Sequence, residues 1–283
     1  MRLYKKSIVN MLSPHIALLA CFGATTFSAF GGGTITISDE ASITVGFGVR
    51  AEFRSVSEEL TGESDDSFDL DVPSVRLYTS SQVMENLSFE FNTEYDGSNE
   101  IRVLDAVVKY KVSEIFQVWA GRFLPPSDRS NLSGPYFLNA WEYPAVTAVN
   151  NLPPVIAGRD EGIAVWGQTG GGQFKYQVGL FEGVDADQSP SGDDGPMFAS
   201  RVVYNVFDPE PGYYNSSTYY GSKNILAFGA TFQRQSDVTG TPTDTGDYTG
   251  IYLDTLFEKP LGNGGVVTAE AAYYDYDYDD NTT

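Results

Sequence analysis

The chain has 283 residues, of which 41% are hydrophobic and 14% aromatic, and its formal net charge is −21. This apolar content is sufficient for a folded core, and no run of 18 apolar residues follows the N-terminal segment, which argues against a membrane-spanning helix. The acidic balance argues against nucleic acid as a partner, because phosphate binding requires clustered lysine and arginine.

The first 31 residues have the pattern of a secretory signal peptide. A basic start is followed by a mostly apolar range, 8–24, and by Ala29-Phe30-Gly31 as a candidate cleavage site. Two alternatives stay open: a buried N-terminal helix, and a lipoprotein signal built on Cys21. Cys21 and His15 are the only cysteine and histidine of the chain. A mature chain from residue 32 would contain neither, which excludes disulfides, histidine bases and histidine- or cysteine-bound metals.

Segments between residues 41 and 278 alternate apolar and polar residues with period 2. In the range 87–95, Leu87, Phe89 and Phe91 alternate with polar residues such as Glu90. Successive side chains of a β-strand point to opposite faces, so this pattern predicts half-buried strands. No helical period and no linker to a second domain interrupts the series. The predicted strands are 41–54, 72–82, 86–96, 100–112, 115–124, 160–168, 173–183, 197–208, 224–236, 248–259 and 265–278.

The connections between these strands alternate in length, as in outer-membrane barrels, which have long loops outside and tight turns inside. The connections taken as extracellular are 55–71, 97–99, 125–159, 184–196 and 237–247. The tight turns on the periplasmic side include 83–85, 113–114, 169–172 and 260–264. Two connections break the alternation, since 97–99 is short and the periplasmic 209–223 is long.

Strand parity separates an apolar, charge-free face from a face with charges of both signs. A soluble two-sheet sandwich explains the alternation equally well. The export signal and the loop asymmetry favour instead an all-β transmembrane antiparallel β-barrel, with an apolar lipid face and a wet, charged lumen. The predicted channel-lining residues are Arg50, Arg54, Arg76, Glu90, Glu94, Asp105, Lys109, Lys111, Arg122, Lys175, Arg201, Asp254, Glu258 and Glu270.

The count of roughly eleven strands is odd, whereas bacterial single-chain barrels have an even number. The strand predicted over 265–278 has no returning partner. We therefore expect residues 1–31 to be a signal peptide and 32–283 to be a partial barrel that lacks its C-terminal strands. The alternative is a complete ten-strand barrel with an acidic tail.

Three short segments carry a resemblance to a known family. They are Gly121-Arg122-Phe123-Leu124-Pro125-Pro126, Arg159-Asp160-Glu161-Gly162 and Asp208-Pro209-Glu210-Pro211-Gly212-Tyr213-Tyr214. Together they resemble the phosphate-selective porin O and P family of Gram-negative outer membranes. The resemblance implies a trimeric barrel of about sixteen strands that passes small ions and solutes by passive diffusion, with anions such as phosphate among the candidates.

In porins, the loop that corresponds to 125–159 folds into the lumen and narrows it, which makes this loop the candidate constriction. The alternative is an outer loop that packs against a neighbouring subunit. The arginines of the loop 125–159 could attract anions, because guanidinium matches phosphate and carboxylate geometry. They could instead pair with lumen carboxylates. The predicted constriction residues are Asp128, Arg129, Tyr136, Trp141 and Arg159.

With Glu52 and Glu161 added, the predicted lumen has eight basic and eight acidic residues. A strongly anion-selective pore would need a positive excess. The residues therefore favour a porin with weak ion discrimination rather than a phosphate-selective one.

The acidic excess lies in the ranges 55–71 and 184–196. Carboxylate clusters can bind Ca²⁺, but the spacing of a calcium loop is missing, and solvated acidic loops are the simpler interpretation. A second hypothesis is that these loops bridge lipopolysaccharide phosphates through divalent cations. Lipid and lipopolysaccharide are accordingly the expected surroundings, in the bacterial outer membrane.

No catalytic motif, phosphate loop or metal motif is present, so neither catalysis nor a cofactor is expected. Two other classes stay open. One is an outer-membrane hydrolase, and the other is a barrel sheath that encloses a periplasmic or electron-transfer partner.

Overall fold

The computed structural model describes residues 24–60, 63–98, 100–147, 158–184, 189, 192 and 195–278. Most of the predicted signal peptide and the acidic residues Asp185, Asp187, Asp193 and Asp194 lie outside the described residues, as do the side chains of 24–30 and 55–67. Across the described ranges, no helix has the length and apolar character needed to cross a membrane.

The described part of the chain is all-β, as the period-2 pattern predicts. Alternating side chains and β-branched or aromatic residues favour extended strands over helix. The strands are β1 (Ala24–Thr36), β2 (Ser42–Leu60), β3 (Glu63–Met84), β4 (Leu87–Tyr95), β5 (Ile101–Ser113), β6 (Phe116–Phe123), β7 (Asp160–Thr169), β8 (Phe174–Phe181), β9 (Met197–Asn205), β10 (Ile225–Thr241), β11 (Asp244–Pro260) and β12 (Val266–Tyr278), with one short helix, α1 (Arg129–Ser133).

Every strand pairs antiparallel with the next strand along the chain, so that one sheet runs in the order β1 to β12. Such a meander is the wall of an up-and-down barrel. Among the described residues, β1 pairs only with β2 and β12 pairs only with β11, and the sheet is therefore open. An open edge leaves a row of backbone donors and acceptors unpaired.

The structure differs from the predicted strands in three places. The range 237–247, predicted as a loop, is mostly strand, because β10 continues to Thr241 and β11 begins at Asp244. Strand β1 is additional, and it pairs from Ala24 opposite Arg54 to Thr36 opposite Ser42. Its residues 31–36 are exposed, so backbone pairing rather than side-chain burial holds it, which the alternation pattern does not detect. Cleavage after residue 31 stays a prediction. The range 55–71, predicted as a loop, instead continues the backbone pairing of the β2–β3 hairpin up to Leu60 opposite Glu63.

The two faces of the sheet are distinct. The outer face exposes large apolar side chains, among them Phe89, Ile163, Phe228 and Leu253. The inner face carries buried charged side chains, such as Arg76 and Asp254, and is covered by two long connections. Between these connections and the inner face of β6 to β9 lies an aromatic core that includes Trp119, Phe123, Trp166, Phe181 and Tyr213.

Candidate functional site

Two long connections lie against the inner face. The β6–β7 connection comprises residues 124–159, of which 124–147 and 158–159 are described, and the β9–β10 connection comprises residues 206–224. Because neighbouring strands are antiparallel, a connection after an even-numbered strand and one after an odd-numbered strand leave opposite ends of the sheet. Both fold back over the same face.

The two connections meet. The Tyr213 hydroxyl donates a hydrogen bond to the Leu124 carbonyl oxygen at 3.0 Å, and the hydroxyl oxygens of Ser133 and Ser217 are 3.0 Å apart. Backbone contacts add to this, since the amides of Ser217 and Thr218 both donate to the Phe137 carbonyl oxygen. The pair forms a layer that crosses the inner side of the sheet.

A buried ion pair lies at the centre of this layer. The Arg129 guanidinium donates to both carboxylate oxygens of Glu210, at 2.7 and 2.8 Å, and neither side chain is exposed to solvent. Burial alone would raise the pKa of Glu210, but the Arg129 charge lowers this pKa to about 2. Removal of one partner from such a pair costs about 3–5 kcal/mol, because the other charge is left buried without compensation.

Strand residues extend this ion pair into a network. Arg201 of β9 donates to both carboxylate oxygens of Asp254 on β11, at 2.5 and 2.9 Å, and the Arg129 Nε lies 3.6 Å from Asp254. Arg201 also donates to the Thr231 hydroxyl, which in turn donates to the Ser127 carbonyl oxygen. The β6–β7 connection is thus fixed to the wall as well as to the β9–β10 connection.

The wall also holds the β9–β10 connection directly. The Glu258 carboxylate accepts hydrogen bonds from the amides of Tyr219 and Gly221, and Lys175 donates to the Tyr214 carbonyl oxygen at 3.1 Å. Gly172 allows a close approach, because a Cβ there would lie 2.4 Å from the Glu210 carbonyl oxygen. Glycine at the turn between β7 and β8 lets the β9–β10 connection pass close to this turn.

Helix α1 begins the inward course of the β6–β7 connection. Its N-cap, Asp128, accepts a hydrogen bond from the Asn131 amide at 3.1 Å, which satisfies one of the free donors of the first turn. The Tyr274 hydroxyl donates to the same carboxylate at 3.1 Å. Burial raises the pKa of Asp128 above its usual range.

Further along, the β6–β7 connection packs on β2 and β3. The Trp141 indole N–H donates to Glu52 at 2.8 Å, and the Arg50 guanidinium lies 3.7 Å from the centre of the Trp141 ring. Tyr136 shares a hydrogen bond of 3.1 Å with the Ser74 hydroxyl. The connection therefore spans the inner face from β2 to β12.

Aromatic packing supports the contact between the two connections. Tyr213 stacks on Trp119 with ring centres 4.5 Å apart and planes 25° from parallel. Trp166 and Phe123 approach the same Tyr213 ring edge-on, at 5.8 and 5.9 Å. Burial raises the pKa of Tyr213 far above its usual value, so the ring acts here as a neutral packing element.

The structure places the predicted channel-lining residues on the inner face, apart from Arg122. Most of the cations there are paired with carboxylates, whereas the described contacts of the buried Arg50 and Lys175 are with carbonyl oxygens and, for Arg50, a ring. The carboxylate-paired cations are Arg54 with Glu52, Arg76 with Glu94, Lys109 with Glu90, Lys111 with Glu114, Arg159 with Asp105, and Arg201 with Asp254. Glu270 accepts hydrogen bonds from Ser217 and Asn139.

The prediction that Arg122 lines the channel is wrong. Arg122 pairs across the ladder with Glu161, and its neighbours on β6, Gly121 and Phe123, have the inner parity. The two side chains form an ion pair of 2.8 Å at the outer face, with the Glu161 side chain about half exposed. The inner face of β6 is mostly apolar. A rule that places charged residues on the inner face therefore assigns the residues of this strand to the wrong faces.

Five of the residues that build the layer were not among the sequence predictions: Glu210, Tyr213, Ser217, Thr218 and Tyr219. The unusual length of the 209–223 connection is the sequence signal that could have identified them. A possible metal-binding group was also not predicted. The carboxylates of Asp160, Glu161 and Glu182 have oxygen atoms within 4.8 Å of one another, but Asp160 already accepts hydrogen bonds from the amides of Glu161 and Gly183.

A family model described as phosphate-selective porin O and P matches residues 43–205, more than half of the chain, from β2 through the end of β9. Curated protein sequences give no match.

Proposed function

The chain belongs to the phosphate-selective porin O and P family, and from this premise we propose that it forms a water-filled outer-membrane channel for passive diffusion of small ions and solutes. The observation that carries the proposal is the buried pair of Arg129 and Glu210, which joins two connections from opposite ends of the sheet. A layer fixed in this way across the inner side narrows a lumen and sets its bore.

The outer face supports a membrane location. Large apolar side chains such as Phe228 and Leu253 are about half exposed along the strands, as a lipid-facing surface requires. Backbone groups in hydrocarbon find no partner in the solvent, so the free edges of β1 and β12 must be paired. We propose that the closed barrel has about sixteen strands, as the family resemblance implies, and that three copies assemble as a trimer.

Ion discrimination is the finer part of the proposal. Because most cations of the described inner face are paired with carboxylates, little net positive charge remains to concentrate anions. We propose weak discrimination between K⁺ and Cl⁻ and no strong preference for phosphate.

A signal peptide that ends near residue 31 would deliver the chain through the periplasm, and the acidic ranges 55–71 and 184–196 would bridge lipopolysaccharide through divalent cations. A sheath is disfavoured, because the two connections contact each other across the inner side of the sheet, where an enclosed partner would lie. The described residues include no histidine, so a hydrolase that uses a histidine base finds no support among them.

Planar-bilayer recording tests the proposal. The protein isolated from outer membranes should give discrete, ohmic conductance steps, and a salt gradient should give a reversal potential close to zero. Replacement of chloride by phosphate should lower the current in proportion to mobility only. Absence of conductance steps would contradict the channel function. A reversal potential near the value of a purely anion-selective pore would contradict the weak discrimination inferred from the paired charges.

A further inference from the structure

The outer face of β3 has a longer charge-free row than the outer faces of β8, β10 and β12. On each of those three strands, the outer-face residues are uncharged over seven residues and then meet a charge at the end taken as extracellular. The rows are 174–180, 226–232 and 267–273, and the charged residues that follow them are Glu182, Arg234 and Asp275. On β3, the outer-face residues are uncharged over 68–81, which is 14 residues.

The row on β3 is longer than a bilayer requires. A transmembrane strand needs about 9–11 residues, so the rows of seven fit within the membrane, and the charges after them meet headgroups or water. The β3 row continues beyond this length at its extracellular end. Its last two members, Leu70 and Phe68, are 70% and 69% exposed, whereas Leu77 within the row is 43% exposed.

These last members lie on a hairpin that projects beyond the neighbouring strand. The β3–β4 pairing ends at Val75 opposite Tyr95, but the β2–β3 pairing continues past Leu70, which lies opposite Phe53. On the outer side of this projection, the Phe53 and Phe68 rings pack edge-on with their centres 4.7 Å apart. Acyl chains do not cover a surface above the bilayer, and a contiguous apolar surface in water marks a site of protein contact.

Charge identifies the partner as a second copy of this chain. The formal net charge is −21, so copies repel one another wherever charged surfaces meet. The outer-face ends of β7, β11 and β12 carry Glu161, Asp247 and Asp275, and contact between copies there would bring carboxylates together. The described outer-face side chains of β2 to β5 carry no charge, so this is the surface on which copies can approach.

The exposed area is also of the size that such a contact needs. Six large side chains of this face are each 41–75% exposed: Phe47, Phe68, Leu70, Phe89, Phe91 and Ile101. With roughly 200 Å² for a whole large side chain, they offer about 700 Å² together, close to the about 800 Å² that each partner gives to an interface of standard size.

We propose that the outer face of β2 to β5, with its projecting β2–β3 hairpin, packs against the neighbouring copy of the chain. A closed ring of copies would then cover the projecting apolar side chains. The inference rests on the membrane location and the trimer of the proposed function, and it assigns the surface through which the copies meet.

Charge substitutions on the projecting hairpin test this surface. In mild detergent, light scattering should give the mass of three copies for the wild type. Leu70→Asp and Phe68→Asp should each raise the monomer fraction at least fivefold, because a carboxylate then lies in the contact. Ile163→Asp is the matched control, since Ile163 is a half-exposed outer-face residue of β7, and it should stay trimeric. The heat-modifiable electrophoretic band shows whether each variant is folded.

A labelling measurement tests the same surface without disrupting it. In a Cys21→Ser background, the thiol of Leu70→Cys should react with a soluble maleimide at least fivefold more slowly in the trimer than in folded monomers released by stronger detergent. Ile163→Cys should react equally in both. Equal rates for Leu70→Cys would overturn the proposal. Slow reaction in both states would also overturn it, because the chain itself or a bound lipid would then cover the hairpin.

The surface and the channel can fail separately. If Leu70→Asp dissociates a wild-type trimer that gives no conductance steps, the channel function fails and the contact surface stands. If the wild type conducts as a monomer, or if folded Leu70→Asp and Phe68→Asp remain trimeric, the contact surface fails alone.

Discussion

The side chains of Arg129 and Glu210, 81 residues apart in sequence, form a two-pronged ion pair with N–O distances of 2.7 and 2.8 Å. Both are fully buried. One residue belongs to the β6–β7 connection and the other to the β9–β10 connection, so the pair ties the two ends of the sheet together across its inner side. In the proposed channel, this layer would make the lumen narrower than the strand number alone would make it.

The contact between the connections predicts a disulfide. The hydroxyl oxygens of Ser133 and Ser217 are 3.0 Å apart, so cysteines at both positions should reach bonding geometry with small adjustments. In a Cys21→Ser background, Ser133→Cys with Ser217→Cys should oxidise in the cell, with loss of maleimide labelling and a shift in non-reducing electrophoresis. Each single cysteine should stay reduced. Full labelling of both thiols in the double variant would show that the connections do not meet.

The Glu210 carboxylate predicts an acid-induced opening. Its pKa in the folded chain is about 2, below the ordinary value of 4.5. The stabilisation is therefore complete above pH 4.5 and is lost as the pH falls towards 2, with a total of about 3 kcal/mol. Single-channel conductance should rise in this window. The contribution of Asp128 to stability changes with pH in the opposite direction. Burial raises its pKa, so this carboxyl favours the folded state more as the pH falls.

The variant Glu210→Gln isolates the contribution of Glu210 to this opening. It cannot titrate, so its conductance should be constant where that of the wild type rises. A rise of equal size in both proteins would assign the transition to another group.

Removal of the basic or the acidic partner of an ion pair on the inner face should shift ion selectivity in opposite directions. Arg76 and Glu94 form a buried pair of 2.7 Å. Arg76→Gln leaves an unpaired carboxylate and should shift the permeability ratio towards K⁺, whereas Glu94→Gln leaves a guanidinium and should shift it towards Cl⁻, each on the order of twofold. Reversal potentials measure both. Shifts of the same sign in the two variants would contradict a role for the local charge.

Gly121 predicts a position at which no side chain is tolerated. Its φ is +128°, and a Cβ would lie 2.2 Å from the Ala106 carbonyl oxygen on β5. Gly121→Ala should therefore disturb the β5–β6 ladder and lower the yield of assembled protein several-fold. Gly33→Ala is the control, since a Cβ there meets no atom within 4 Å. The heat-modifiable electrophoretic band of the folded barrel gives the yield; equal yields would refute the steric argument.

Much of the wall could be predicted, because a period of 2 follows directly from strand geometry. The alternation around Phe89 and Glu90 indicated both a strand and its faces. Strand β1 escaped prediction because the range 31–36 is exposed and held by backbone pairing. Arg122 was assigned to the wrong face because the inner side of β6 bears Trp119 and Phe123 instead of charges.

The candidate site was harder to predict, since it depends on contacts between distant segments. The β6–β7 connection could be recognised by its length and aromatic content. Its partner could not, because nothing local to Glu210 indicates that a connection from the other end of the sheet folds inwards. A long turn on the side where short turns are expected was the available signal, and pairing with Arg129 across 81 residues requires the three-dimensional arrangement.

The central claim is that two joined connections set the bore of a porin. The most direct measurement compares single-channel conductance of the wild type with a variant in which residues 209–222 are replaced by a short Asn-Gly turn. The account predicts discrete steps in the wild type and steps at least twice as large in the variant, with matching amounts of assembled protein. Equal conductance in the two proteins, or no steps in either, would contradict it.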